Sequence, residues 1–164
     1  MKYLTLLRHA KSSWKDPGCD DFDRPLNKRG RQNAPLIGRR LAMIGEVPEV
    51  ILSSPAERAR RTTELVAAEL PCEASAILYE PRIYEAGLET LVELVSQLDD
   101  DWQNVMLVGH NPGLTDLANA FAPCKLENIV TCGVVKLVFR VDSWRDIQFN
   151  SGRLLFYDYP KKIH

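Results

Sequence analysis

The chain has 164 residues, 45% of them apolar, and its 21 basic and 22 acidic side chains leave a formal charge of −1. That length fits one domain spanning 1–164, able to bury roughly two thirds of its unfolded surface around one core. The balanced charge argues against nucleic acid or an anionic membrane as the main partner. The N-terminus lacks a basic segment followed by a long apolar one, and no run approaches the roughly 18 apolar residues that span a bilayer, so a soluble cytoplasmic protein is expected.

Tyr3 to Leu7 is apolar and rich in β-formers, and it ends abruptly in Arg8 and His9, as a central strand does when it delivers polar groups to a sheet edge. Asp16-Pro17-Gly18 and Asp20 through Pro25 then read as a surface loop of about a dozen residues, longer than most connections. Asp20, Asp21 and Asp23 lack the glycine and distal glutamate of a calcium loop, so a solvated acidic loop is expected there. Asn27 can cap a helix running towards Met43, with Ala34, Ile37, Leu41 and Ile44 on one stripe. Pro35 should kink that helix or delay its start.

Val50 to Ser53 forms a second apolar strand. Ser54, Pro55 and Glu57 then spell a capping box with proline at the first helical position, which puts Arg58 near a strand's C-terminal edge. Ile77 to Tyr79, and Ile83-Tyr84, read as extended; Leu88, Leu91, Leu94, Val95 and Leu98 mark an amphipathic helix that ends before the Asp99-Asp100-Asp101 run. Val105 to Val108 is a continuous apolar run of the kind found in buried parallel strands, and His110 follows it as His9 follows the first. Leu114, Leu117, Ala118 and Phe121 continue as a short helix. Val134 to Val141 and Arg153 to Tyr157 add antiparallel or edge strands. This alternation argues α/β layers around a mainly parallel sheet.

Cys19, Cys72, Cys124 and Cys132 form no pair with the two-residue spacing of a zinc knuckle or a redox dithiol, so free thiols in a reducing compartment are expected. Trp102 and Trp144 read as packing at element ends, and Arg60 and Arg61 as solvent-facing. Trp14 is either a loop anchor or a substrate-facing aromatic, while Arg24 and Lys11 stand where they would widen a positive mouth.

In open α/β sheets, sites form beyond the carboxyl ends of strands, and His9, Arg58 and His110 all follow such ends. A dianionic phosphoryl group needs fixed positive charge on its oxygens, which the forked guanidinium groups of Arg8 and Arg58 provide. An attacking imidazole must be neutral, and neighbouring arginines favour the neutral form of His9. His110 can donate to a phosphoryl oxygen through a suitable tautomer or when protonated. Glu85 is either the acid that protonates a leaving alkoxide or an ordinary surface carboxylate.

Leu7-Arg8-His9-Ala10, Ser54 through Thr62 and Val108-Gly109-His110 resemble the signature segments of the histidine phosphatase superfamily, the phosphoglycerate mutase-like proteins. Arg8 through Trp14, Asp23-Arg24-Pro25-Leu26 and Val108 through Leu114 are closer still to its SixA-type phosphohistidine phosphatases, and the resemblance covers almost the whole chain.

The resemblance implies a three-layer α/β/α sandwich around a mainly parallel mixed sheet. It also implies a hydrolase with His9 as the phosphorylated nucleophile and Arg8, Arg58 and His110 as the rest of the phosphate pocket. Glu85 corresponds in position to the superfamily's acid-bearing segment. No metal or organic cofactor is implied. The chain has Ala10 where glycine is usual and no long inserted cap, which disfavours sugar-phosphate, phytate and mutase chemistry. The expected substrate is a phosphohistidine on another protein; the alternatives are a small phosphoester and a non-catalytic module that binds phosphohistidine.

Overall fold

The computed structural model describes residues 1–164, whose strands form one six-stranded sheet in the order β3-β2-β4-β1-β5-β6. In chain order the elements are β1 (Lys2–Arg8), α1 (Lys28–Met43), β2 (Val50–Ser53), α2 (Glu57–Ala67), β3 (Ile77–Tyr79), α3 (Leu88–Ser96), β4 (Asn104–Gly109), α4 (Gly113–Phe121), β5 (Val134–Phe139) and β6 (Arg153–Asp158). The first four strands by sequence are parallel, and β5 and β6 extend the sheet antiparallel beside β1.

Strand side chains alternate between faces, so each strand feeds two cores. On one face Leu4, Leu6, Val105 and Leu107 pack against Leu91, Leu94 and Val95 of α3 and Leu114, Leu117 and Phe121 of α4. On the other, Leu7, Ile51, Met106 and Val108 meet Ala34, Ile37 and Leu41 of α1 with Ala59 and Val66 of α2. The result is the three-layer α/β/α sandwich around a mixed sheet. Trp144 is buried in the first core and its indole donates to the Trp102 carbonyl at 2.9 Å, as expected for residues at element ends. All four cysteines are free, and no helix is long and apolar enough to cross a membrane.

Register places the site. Arg8 lies opposite Gly109 in the β1–β4 ladder, so His9 and His110 are the next residues on two adjacent parallel strands. Ser53 lies opposite Val108, and the Ser54 amide continues the ladder to the Val108 carbonyl at 2.9 Å. Three strand ends therefore open side by side.

Two local expectations are corrected and a third, that for Pro35, is narrowed. Ser54 does not cap α2: that helix starts at Glu57 after Ala56, whose side chain cannot cap, and the Ser54 hydroxyl instead accepts from the Ala56 amide at 3.2 Å and faces His110. Pro35 sits inside α1 without delaying it, since Asn27 caps the helix eight positions earlier through the Gly30 amide at 2.8 Å. Ile83 is not extended. It ends a short 3-10 turn, Pro81–Ile83, in which the Glu80 carboxylate accepts from the Arg82 amide and proline takes an early position.

Gly30 also fixes how α1 meets the site: a β-carbon there would stand 2.1 Å from the Lys11 carbonyl oxygen, so only glycine lets the helix start close over the chain leaving β1.

Candidate active site

The segment after β1 crosses the strand ends and returns through a bridge between Ser12 and Leu26, tied further by the Ser13 amide on the Pro25 carbonyl at 2.8 Å. Together with the strand ends it encloses an open cleft of about 450 Å³ lined by Arg8, His9, Arg58 and His110, with Lys11, Ser12, Trp14, Arg24, Asn27, Asn111 and Thr131 around them. Four of the five candidate residues are thus brought together. A larger apolar groove, about 760 Å³, runs between α1 and β5–β6, and none of those candidates lines it.

His9 is 7% exposed. Its Nδ1 lies 2.8 Å from the Ala10 carbonyl, which can only accept, so Nδ1 carries the proton and Nε2 keeps its lone pair. Burial pushes the imidazole down to about 3; the hydrogen bond to the Ala10 carbonyl, next in size, pulls the other way, and the proximity of His110, Arg58 and Arg8 adds to the lowering. His9 is therefore neutral at physiological pH. The Ala10 peptide is held in turn: its amide donates to Thr62 Oγ1 at 2.9 Å, and that hydroxyl donates to the Arg58 carbonyl at 2.6 Å. One threonine on α2 thereby links the His9 peptide to the turn carrying Arg58.

His110 lies beside His9 with ring centroids 5.1 Å apart and planes tilted by 52°, and its Nε2 is 2.7 Å from Ser54 Oγ. Burial and then the Arg58 charge lower it to about 4, so it too is neutral. Its tautomer follows from counting partners. The Ser54 proton has His110 Nε2 as its acceptor; with Nε2 accepting, Nδ1 bears the hydrogen and is the one donor left over. The opposite arrangement strands both the serine proton and the Nδ1 lone pair, two unmet groups rather than one.

Arg8 donates through one terminal nitrogen to the Ile129 carbonyl at 3.0 Å. Asn111 holds that carbonyl from the other side at 2.8 Å, while its own side-chain oxygen accepts from the Thr115 amide and hydroxyl at 3.2 and 2.9 Å. Arg58, 6% exposed, donates to the Asp21 carbonyl at 2.6 Å and to the Asp21 carboxylate at 3.1 Å. Tyr84 donates to the same carboxylate at 2.6 Å. This hydrogen bond and those from the arginines hold the Asp21 carboxyl down to about 2, while burial and the carboxylate drive the Tyr84 hydroxyl up to about 12. The acidic loop is accordingly not merely solvated. Asp21 is a structural partner of the site.

The Nε atoms of Arg8, Arg24 and Arg58 are buried without a partner. Glu85 stands apart. It is exposed, follows Tyr84 with φ +59°, and does not line the cleft. Sequence reasoning did not reach Asp21, Tyr84, Thr62 or the Asn111–Thr115 clamp; the nearest signals were Thr62 one helical turn after Arg58 and Asn111 directly after His110. No cluster of three or more His, Cys, Asp or Glu side chains arranged for a metal ion occurs.

A mixed α/β/α sandwich with two histidines and two arginines at the ends of three parallel strands is a phosphoryl-transfer architecture. Residues 4–104 match the model of the histidine phosphatase superfamily (branch 1), and the chain belongs to that superfamily. It is 32% identical over 158 residues to an uncharacterized chloroplastic protein of Arabidopsis thaliana, covering 91% of this chain and 72% of that one. It is 30% identical over 166 residues to an uncharacterized protein of Mycobacterium tuberculosis, covering 94% of this chain and all of that one.

Among solved structures, the candidate phosphohistidine phosphatase SixA of Agrobacterium tumefaciens superposes with a TM-score of 0.83 at 33% identity, over 97% of this chain and 98% of that one. The protein histidine phosphatase SixA in complex with tungstate gives a TM-score of 0.81 over 96% and 97% of the two chains; at 18% identity that likeness is one of fold.

Proposed function

We propose that this protein is a phosphatase that removes the phosphoryl group from protein phosphohistidine through a covalent intermediate on His9. The observation that carries this reading is the state of His9: neutral, with its Nδ1–H committed to the Ala10 carbonyl, in a cleft it shares with Arg8, Arg58 and His110. The His9 Nε2 lone pair forms a bond to phosphorus as the bond from phosphorus to the substrate's imidazole nitrogen breaks. The leaving ring keeps that electron pair and takes a proton from solvent. Water then attacks the phosphorus, the bond to Nε2 breaks, and inorganic phosphate leaves with His9 restored.

Arg8 and Arg58 neutralise charge on the equatorial oxygens throughout, and His110 stands beside them as the fourth residue of the phosphate pocket. None of the residues lining the cleft is Asp or Glu, which supports a leaving group that needs little help from a general acid. An imidazole leaves a phosphoramidate far more readily than an alkoxide leaves an ester, so this lining favours phosphohistidine over small alkyl phosphoesters. The open cleft suits a group presented on another protein.

The test is a substrate panel of histidine-phosphorylated protein, phosphoserine peptide and small alkyl phosphates, run on wild type and His9→Ala together. Phosphate release from the phosphohistidine protein at the highest kcat/KM, abolished in His9→Ala, is expected. Preferential turnover of an alkyl ester overturns the substrate, and binding of phosphohistidine without phosphate release makes the protein a recognition module.

A further inference from the structure

Trp14 is 78% exposed, although a tryptophan is among the costliest side chains to leave in water. Its position is nevertheless fixed. The guanidinium carbon of Arg24 lies 3.7 Å from the centre of the indole, a stacked cation–π contact that covers one face. Arg24 itself is 8% exposed and is held by the Ser12 hydroxyl and by the Asp21 carboxylate at 3.2 Å, the same carboxylate that binds Arg58. The Ser12–Leu26 bridge fastens the main chain below. A continuous chain of contacts therefore runs from the exposed indole through Arg24 and Asp21 to the Arg58 guanidinium. Trp14 and Arg24 both line the cleft that contains His9.

We propose that Trp14, clamped by Arg24, is a specificity residue that stacks on a planar aromatic leaving group of the phosphate donor. This rests on the cleft being the phosphoryl-transfer site but not on the donor being phosphohistidine. With the phosphoryl group held by Arg8 and Arg58, the departing group projects towards the mouth, where the largest preorganised apolar surface among the lining residues is the indole. An imidazole ring has the flat π face that such a platform selects, and a nitrophenyl ring shares it; an aliphatic alcohol does not. Arg24 acts as the positioning residue, holding the ring in one orientation so that little rotamer freedom is lost when substrate arrives.

The experiment compares wild type, Trp14→Leu and Trp14→Phe on three donors: free phosphohistidine, 4-nitrophenyl phosphate and glycerol 3-phosphate. The quantity read is the ratio of kcat/KM for each aromatic donor to that for glycerol 3-phosphate. Trp14→Leu is expected to lower both ratios by about tenfold, chiefly through KM, and Trp14→Phe to restore most of the loss. Unchanged ratios in Trp14→Leu, or an equal loss on all three donors, overturn the platform and leave Trp14 as a loop anchor. If wild type hydrolyses 4-nitrophenyl phosphate but not phosphohistidine, the substrate reading fails, and the nitrophenyl ratio still decides the inference.

Discussion

Asp21 holds Arg58 by both ends of its own residue: the main-chain carbonyl accepts from one terminal nitrogen of the guanidinium at 2.6 Å and the carboxylate from the other at 3.1 Å. A two-point grip fixes the plane of the guanidinium and turns its remaining donor capacity to use elsewhere. Asp21→Ala should therefore raise KM about tenfold with a smaller effect on kcat, measured by steady-state phosphate release. A fall in KM would instead make Asp21 a competitor of the phosphoryl group. Because the Asp21 carboxyl lies at about 2, below its unfolded value, the contact stays ionised above about pH 4 and weakens only as pH falls through about 2.

The histidines set a different pH window. The folded-state value of His9, about 3, lies below the unfolded value near 6.5, so the unfolded chain binds a proton that the folded one does not between those limits. Stability is full above about pH 6.5 and is lost as pH falls towards 3. Between pH 7.5 and 5.0 this one residue costs about 2 kcal/mol. Urea unfolding at both pH values should show a smaller loss in His9→Gln than in wild type, by roughly that amount. An equal loss in the two proteins would mean that His9 is not buried in its neutral form.

Asn111 reaches the site through a carbonyl. By gripping Ile129 it fixes the oxygen to which Arg8 donates, and its own side chain is fixed by Thr115. Asn111→Ala should lower kcat/KM for phosphate release about tenfold and cost about 1–3 kcal/mol of stability, since it leaves buried partners unmet. Asn111→Asp keeps the acceptor for Thr115 but loses the donor to Ile129, so it should recover the stability more than the activity.

Glu85 is exposed and outside the cleft lining, and the proposed leaving group needs little acid assistance. Glu85→Gln should change phosphohistidine hydrolysis by less than about threefold, where a working general acid contributes about a hundredfold or more. A hundredfold loss would show that the turn carrying Glu85 closes over the substrate.

The parallel strands were legible because a short buried strand writes itself as an uninterrupted apolar run ending in polar residues, and Arg8, His9 and His110 were found at those ends. Arg58 was placed correctly although the reason given for it, a serine cap, was not: Ser54 bonds forward to Ala56 and across the sheet edge to His110, and a hydroxyl's choice between local and tertiary partners leaves no trace in residue order. The same holds for Asp21, whose partner Arg58 lies 37 residues on in the chain and whose Tyr84 contact lies 63 residues on. A run of aspartates reads as solvated until the fold delivers arginines to it. Trp14 was legible only as an alternative, because periodicity does not say which side of a loop an indole will show.

The central claim is that His9 itself becomes phosphorylated. Rapid mixing of the enzyme with ³²P-phosphohistidine protein, followed by alkaline quench and separation of the chain, reads this directly. A transient label on the chain, stable to alkali, labile to acid, mapping to His9 and absent from His9→Ala, is the predicted result. Full phosphate release with no label on the chain at any quench time, and normal hydrolysis by His9→Ala, would contradict it.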